Sequence, residues 1–497
     1  MNRLHRSKEG VIGKMVCLRR CRFSRQRGRT VTRLIVVLLA VGVIVHVSTN
    51  RYVSVWSIAN DKHLIPDFLA NGLGVIEKGL SKDRHQTLDL AYNWTYKGDR
   101  GYLMKLYHTI LDKALGDVQE VYKEPSETIY EKRRQHAQKA CGTIPGSNKG
   151  VRSTIRTLWY MDRTNMLYCS VAKAGSSFWR RTWKAVISQR GDIIHSPYEY
   201  SYEDFHSGPF LLKRQNKLTD SDDSLEHLVN SSLKFMYTRD PYSRIFSAYV
   251  DKVLAPNTYL WGLGKKIISE FRNGSSEKSR SCGHDVTFGE FVKSIISTPT
   301  ASLDAHFIPV SEWCDVCSLQ YDVIAKMETF KADSLYLMNK ADILGKHVEV
   351  KDFGIEYTAD SFVDYVTRTF LHRGAFGKCL TFHAAIRRLW RQMQIAGSIS
   401  KEERYPLTPA ESDSITEVQL INIMLGAYKR TSSESRSNKK EAFLQAYQQV
   451  PLGDLERIRE KYSKDFLLFD YDDRPKELFD KTLQLRLAFN YFDVLKE

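Results

Sequence analysis

Twice in this chain a short apolar run stops at a cluster of small or charged residues, and an amphipathic helical pattern begins at once. The first run is Met166–Val171, followed by the small-residue stretch Ala172–Ser177. Beyond it Trp179, Trp183, Val186 and Ile187 share one helical face, with Arg180, Arg181 and Lys184 expected to point elsewhere. The second run is Lys234–Thr238. There Asp240 has N-cap chemistry, and Pro241 stands where a first helical residue belongs. Ile245, Phe246, Tyr249, Val250 and Val253 then mark a helical face. A third apolar run, Tyr321–Ala325, has the same character. Runs of this length without polar alternation suit strands buried on both faces. Strands alternating with helices imply an α/β fold with a central parallel sheet flanked by helices.

The two junctions carry the chemistry. A tight turn of small residues exposes backbone N–H groups at a helix N-terminus, which suits an anionic ligand. At the first junction Gly175 allows close backbone approach, Lys173 brings a point charge, and Ser176 and Ser177 add donors. The spacing is not that of a Walker A loop. At the second, Arg239 has the fork geometry for a phosphate. Ser243 and Ser247, four residues apart, share a helix face. Each junction alone also reads as an ordinary strand-to-helix turn, with a solvated lysine in one and capping arginines, Arg239 and Arg244, in the other.

The basic balance of the chain, +16 over 497 residues, is concentrated at one end. Residues 1–33 hold eleven Lys or Arg against the single acid Glu9, which leaves +6 for residues 34–497. This distribution argues against nucleic-acid binding by the folded part. Behind the tail lies the apolar run Leu34–Val47. It is short against the ~20 residues of a typical membrane helix, but Thr32, Ser48 and Thr49 extend it. The positive flank places the N-terminus in the cytosol. The expected organisation is a cytoplasmic tail over 1–33, a signal-anchor helix over 34–49, a luminal stem over 50–140 and a catalytic domain over 141–480.

Six cysteines, Cys141, Cys169, Cys282, Cys314, Cys317 and Cys379, follow the anchor, where disulfides form. Cys314 and Cys317 make a lone CxxC without a second metal-spaced pair, so disulfides or a buried thiol are expected and no metal site. Asn93, Asn230 and Asn273 begin glycosylation sequons. Thr431–Lys440 is polar and low in complexity, and reads as a flexible surface loop.

Taken together the motifs resemble the two donor-binding signatures of Golgi carbohydrate sulfotransferases, nearest to the chondroitin/dermatan 4-O-sulfotransferase-like family (sulfotransferase family 2). Ala172–Arg181 is similar to a signature of the form PKxGxTNWKR, and Arg239–Tyr249 to R[DE]PxxRxxSAY. Arg133 and Arg134 leading to Cys141, then His306, Cys314, Cys317, Tyr321, Asp322 and Glu328, then Leu455, Tyr462, Asp465, Phe466 and Phe469 follow the family's order. The resemblance runs from about Arg133 to Asp472, with an insertion expected over 380–440. Ala172, Phe178 and Phe307 depart from the family's proline, asparagine and tryptophan.

The resemblance implies a P-loop-like sulfotransferase fold and a type II Golgi membrane protein with a luminal catalytic domain. The implied reaction moves a sulfuryl group from 3′-phosphoadenylyl sulfate to a sugar hydroxyl of a glycan or proteoglycan, such as O4 of N-acetylgalactosamine in chondroitin or dermatan. Ala172, Lys173, Ala174, Gly175, Ser176, Ser177 and Phe178 would form the 5′-phosphosulfate loop. Arg239, Asp240, Pro241, Tyr242, Ser243, Arg244, Ile245, Phe246 and Ser247 would form the 3′-phosphate site. Lys173 would also stabilise the leaving group, and His206 or His306 would be the base, with Asp204 and Glu328 as weaker options. The alternatives are a nucleotide-dependent kinase, opposed by the missing Walker A loop, and a non-catalytic glycan-binding membrane protein on the same fold.

Overall fold

The computed structural model describes residues 43–47, 53–57, 127–145, 157–187, 194, 196–200, 222–350, 352–431, 433, 435–483 and 489–496. The chain divides into two compact units, residues 1–98 and 99–497.

In the first unit β1 (Val43–Val47) pairs antiparallel with β2 (Val53–Ser57). Val43–Val47 is the described part of the segment expected as an anchor over 34–49. The rest of that run and the basic tail lie outside the described residues. Among the described residues no helix is long and apolar enough to cross a membrane.

The second unit is built on a four-stranded sheet in the order β3 (Leu158–Met161), β4 (Met166–Cys169), β5 (Leu233–Thr238), β6 (Val323–Lys326). β4, β5 and β6 run parallel, as their apolar runs suggest. β3 runs antiparallel to β4, so the sheet is mixed rather than wholly parallel. The reason is the short link from Met161 to Met166, which closes a hairpin with Asn165 at φ 49°. A parallel crossover needs a dozen or more residues.

Helices cover the sheet. α2 (Ser176–Ile187) lays Trp179 and Trp183 on β4 and β5, where the Trp179 and Phe235 rings are 4.7 Å apart. Arg181 does not point away as expected. It is 2% exposed and pairs with Asp360 at 2.6 Å, fastening α2 to α4 (Phe353–Leu371). α3 (Pro241–Tyr249) begins as read: Asp240 accepts from the Ser243 N–H at 2.7 Å and Pro241 opens the helix. It runs directly into a π-turn, Val250–Leu254.

Three boundaries differ from expectation. α1 (Glu127–Thr143) belongs to the folded unit, not to a stem, because Arg133 pairs with Asp333 at 2.7 Å and Tyr130 and Ala137 are buried. At the other end Tyr491 and Val494 are buried and Arg391 pairs with Asp493 at 2.6 Å, so the unit extends past 480. The stretch read as a flexible loop is packed. Ser435 donates to the Gly397 carbonyl at 2.6 Å and Asn438 to the Ile399 carbonyl at 3.0 Å. These buried side chains satisfy carbonyls just past the end of α5 (Phe382–Ala396), and α6 (Asn438–Gln448) starts there.

Three disulfides pair the six cysteines: Cys141–Cys317, Cys169–Cys314 and Cys282–Cys379. The CxxC is thus split between two partners, one on α1 and one on β4.

Candidate active site

β4 ends at Cys169 and the chain turns through Val171–Gly175 into α2. Lys173 takes a left-handed conformation, φ 66°, which a residue with a Cβ adopts at a cost of roughly 1–2 kcal/mol. Gly175 is at φ 74°, and a Cβ there would sit 2.5 Å from Phe330 Cε2. The turn is therefore held against the first residue of the 330–340 helix by a contact only glycine permits. The first turn of α2 presents backbone N–H groups that the helix itself does not use.

The second junction lies beside the first because β4 and β5 are parallel neighbours. Arg239 donates to the Lys173 carbonyl at 3.2 Å. Arg244 is 1% exposed and forks onto three carbonyls: Ala172 at 3.0 Å, Ile308 at 2.5 Å and Ala305 at 3.2 Å. It thereby ties the first turn, α3 and the 305–308 segment into one body. Glu328, just past β6, accepts from the Asp240 N–H at 3.2 Å and from the Tyr471 hydroxyl at 3.0 Å. All three parallel strands thus deliver their C-terminal ends to one place, where open α/β sheets bind ligands.

A charged cluster forms around Lys173. Its Nζ is 2.7 Å from Asp251 Oδ2, and the same carboxylate lies 3.3 Å from Lys252 and 4.0 Å from Arg368. Asp251 sits on the π-turn after α3, and Arg368 on α4. Burial opposes the charge on Asp251, but Lys173, Lys252 and Arg368 outweigh it and hold the carboxyl well below its usual range. Burial lowers the Lys173 pKa, and Asp251 offsets part of that.

His306 stands at the edge of this cluster. Its Nδ1 is 2.6 Å from Asp304 Oδ1, which also accepts from the His306 backbone N–H at 2.9 Å. Burial pushes the imidazole below its ordinary pKa; Asp304 pulls it back up, while Lys252 and Lys173 add to the lowering. Among the described residues the ring Nε2 has no hydrogen-bond partner.

The structure brings Ala172, Lys173, Arg239 and His306 together: Arg239 and Arg244 bond the carbonyls of the first turn, and the Lys173 charge reaches His306. It does not turn every residue of the two motifs toward a ligand. Ala174, Phe178, Tyr242, Ile245 and Phe246 are buried in the core. Phe178 packs its ring 5.3 Å from those of Phe330 and Phe353, so an aromatic replaces the polar contact an asparagine would offer. Arg244 is a clamp on backbone rather than a ligand-facing cation. Ser176 is half-buried, Ser177 is exposed, and Asp240 and Pro241 cap α3. His206, Asp204 and Asn93 lie outside the described residues. Asp251, Asp304, Arg368 and Lys439 had no motif to mark them. Lys439, in the first turn of α6, feels the charges of Arg239 and Glu328.

Two cationic turns thus stand side by side at the C-terminal ends of adjacent parallel strands, an arrangement suited to anionic ligands. Residues 156–393 match the family described as Sulfotransferase family. Human carbohydrate sulfotransferase 9 is 31% identical over 233 residues, covering 46% of this chain and 50% of that protein. Human carbohydrate sulfotransferase 8 is 29% identical over 214 residues, covering 42% and 49%. Rattus norvegicus carbohydrate sulfotransferase 11 is 26% identical over 258 residues, covering 50% and 69%. The chain spans about half the length of the two human relatives. No solved structure matches it at a significant level.

Proposed function

We propose that the chain transfers a sulfuryl group from 3′-phosphoadenylyl sulfate to a sugar hydroxyl of a glycan. The observation that carries this reading is the contact between the two junctions. Arg239 bonds the Lys173 carbonyl and Arg244 bonds that of Ala172, so a cation for each end of a doubly anionic donor stands on one rigid frame.

In this reading Arg239 and Ser247 hold the 3′-phosphate. Lys173 and the first-turn amides of α2 hold the 5′-phosphosulfate. His306 Nε2 accepts the proton of the acceptor hydroxyl as its oxygen bonds to sulfur. The bond from sulfur to the bridging phosphate oxygen breaks, and Lys173 with the loop amides stabilises the charge on the departing adenosine 3′,5′-bisphosphate. Asp251 is the weaker base, since three cations keep it ionised. Glu328 is engaged with Asp240 and Tyr471.

The relatives' names say carbohydrate sulfotransferase, which supports a glycan acceptor. A chondroitin or dermatan chain sulfated on O4 of N-acetylgalactosamine is the specific acceptor proposed. Three disulfides support residence in the secretory pathway, and exposed sequons at Asn230 and Asn273 fit the same side of the membrane. We extend this to a type II protein of the Golgi membrane.

The test is calorimetric titration of the full chain with adenosine 3′,5′-bisphosphate and, separately, with ATP. Binding of the bisphosphate in preference to ATP is expected. Preference for ATP would favour a kinase-type nucleotide site.

A further inference from the structure

We propose that Asp304 is the positioning residue for the base: it fixes the tautomer of His306 so that Nε2, and not Nδ1, meets the acceptor hydroxyl. The inference rests on the sulfotransfer reading and on His306 as its base.

Three observations support it. First, the contact is short and direct, 2.6 Å from Nδ1 to Oδ1, and that oxygen also receives the His306 backbone N–H. One carboxylate oxygen thus orients both the ring and the peptide that carries it. With Nδ1–H donating to a carboxylate, a neutral imidazole must leave Nε2 unprotonated. Second, Nε2 has no partner among the described residues, and the imidazole is 30% exposed at the cluster around Lys173. Third, the turn carrying the pair is held at a fixed place relative to the donor loop. Arg244 bonds the carbonyls of Ala305 and Ile308 with the same guanidinium that bonds Ala172. The Phe307 and Ile308 N–H groups both return to the Asp304 carbonyl. Ring orientation is set by Asp304 and ring position by Arg244.

The charged groups facing His306 are Asp304 from its own turn, Lys252 from the π-turn and Lys173 from the donor loop. The carboxylate stabilises the protonated ring and the two cations destabilise it. Without Asp304 the imidazole would be a weaker base as well as a misdirected one.

The experiment measures kcat/KM for sulfate transfer to a glycan acceptor by the full chain, between about pH 5 and about pH 9, a window set by histidine's range. The wild-type rate falls on the acidic side as His306 takes up a proton. In Asp304→Asn the charge is lost and the amide can turn its NH2 toward Nδ1, which leaves the ring proton on Nε2. The acidic limb moves to lower pH and the plateau drops by about tenfold. Asp304→Glu restores the carboxylate and brings the limb back toward wild type. Binding of adenosine 3′,5′-bisphosphate is the control for folding and stays unchanged in both. A lower plateau with an unmoved limb, or a Glu variant no better than Asn, overturns the positioning role. Near-normal transfer by His306→Ala, with donor binding intact, overturns the assignment of His306 itself while leaving sulfotransfer standing.

Discussion

Lys173 Nζ and Asp251 Oδ2 are 2.7 Å apart across two elements that the sequence separates by 78 residues, and this pair stands at the junction of both donor-type turns. The lysine is on the loop after β4, and the carboxylate on the π-turn after α3. Lys252 and Arg368 share the same carboxylate. The cluster therefore holds its cations in place before any ligand arrives, which removes the reorganisation a set of mutually repelling side chains would otherwise require.

That pairing has a pH signature. The Asp251 carboxyl is depressed in the folded state, so it titrates at lower pH folded than unfolded. Its contribution to stability is full above the unfolded value, near 3.8, and is lost as pH falls through the folded value. Acid denaturation of wild type is expected to steepen below about pH 4. Asp251→Asn should flatten that region when unfolding is followed by circular dichroism. Identical acid limbs would remove the pair as a source of stability.

Gly175→Ala should be destabilising for two reasons at once, a positive φ and a Cβ 2.5 Å from Phe330 Cε2. The expected loss is about 2 kcal/mol or more in urea unfolding. Phe330→Ala in the same background should recover part of it, since it removes the clash but not the backbone strain. A stable Gly175→Ala protein would show that the turn is looser than described.

Arg244→Met should lose about 3 kcal/mol of stability, because three buried carbonyls lose their partner together. Arg244→Lys should not rescue it, since an ammonium lacks the fork. Transfer activity should fall with stability. Full activity in the Lys variant would mean the clamp is dispensable.

Non-reducing peptide mapping should recover the pairs Cys141–Cys317, Cys169–Cys314 and Cys282–Cys379. A Cys314–Cys317 pair would contradict the arrangement. Cys169→Ser with Cys314→Ser should cost roughly 3–5 kcal/mol if the long loop is freed without other change. Glycosidase treatment of the secreted or microsomal protein should shift its mass if Asn230 and Asn273 carry glycans. No shift would leave these sequons unused.

The sheet was legible where burial is simplest. β4 and β5 are buried on both faces, so their runs carry no polar alternation. Asp240 and Pro241 announced α3 by local chemistry alone. β3 was not legible, because four residues of an edge strand, Leu158–Met161, leave too little pattern. Arg181 was misread because a charge on a helix usually faces water. Its partner Asp360 is 179 residues away and gives no local sign. Asp251 was hidden for the same reason, on a π-turn that periodicity does not distinguish from ordinary helix. Ser435 and Asn438 looked like linker residues, yet their polarity serves buried carbonyls. Lys173, Arg239 and His306 stand out in the sequence by their motifs; their partners Asp251, Glu328 and Asp304 come only with the fold.

The measurement that bears most directly on the account is transfer of radiolabelled sulfate from 3′-phosphoadenylyl sulfate to a panel of glycans, comparing wild type with Lys173→Ala and Arg239→Ala. Wild type should label at least one glycan, with chondroitin or dermatan expected first. Lys173→Ala should reduce turnover by about a hundredfold or more. Arg239→Ala should chiefly raise the donor KM. Transfer that survives both substitutions, or bisphosphate binding by wild type with no transfer to any glycan, would contradict the account.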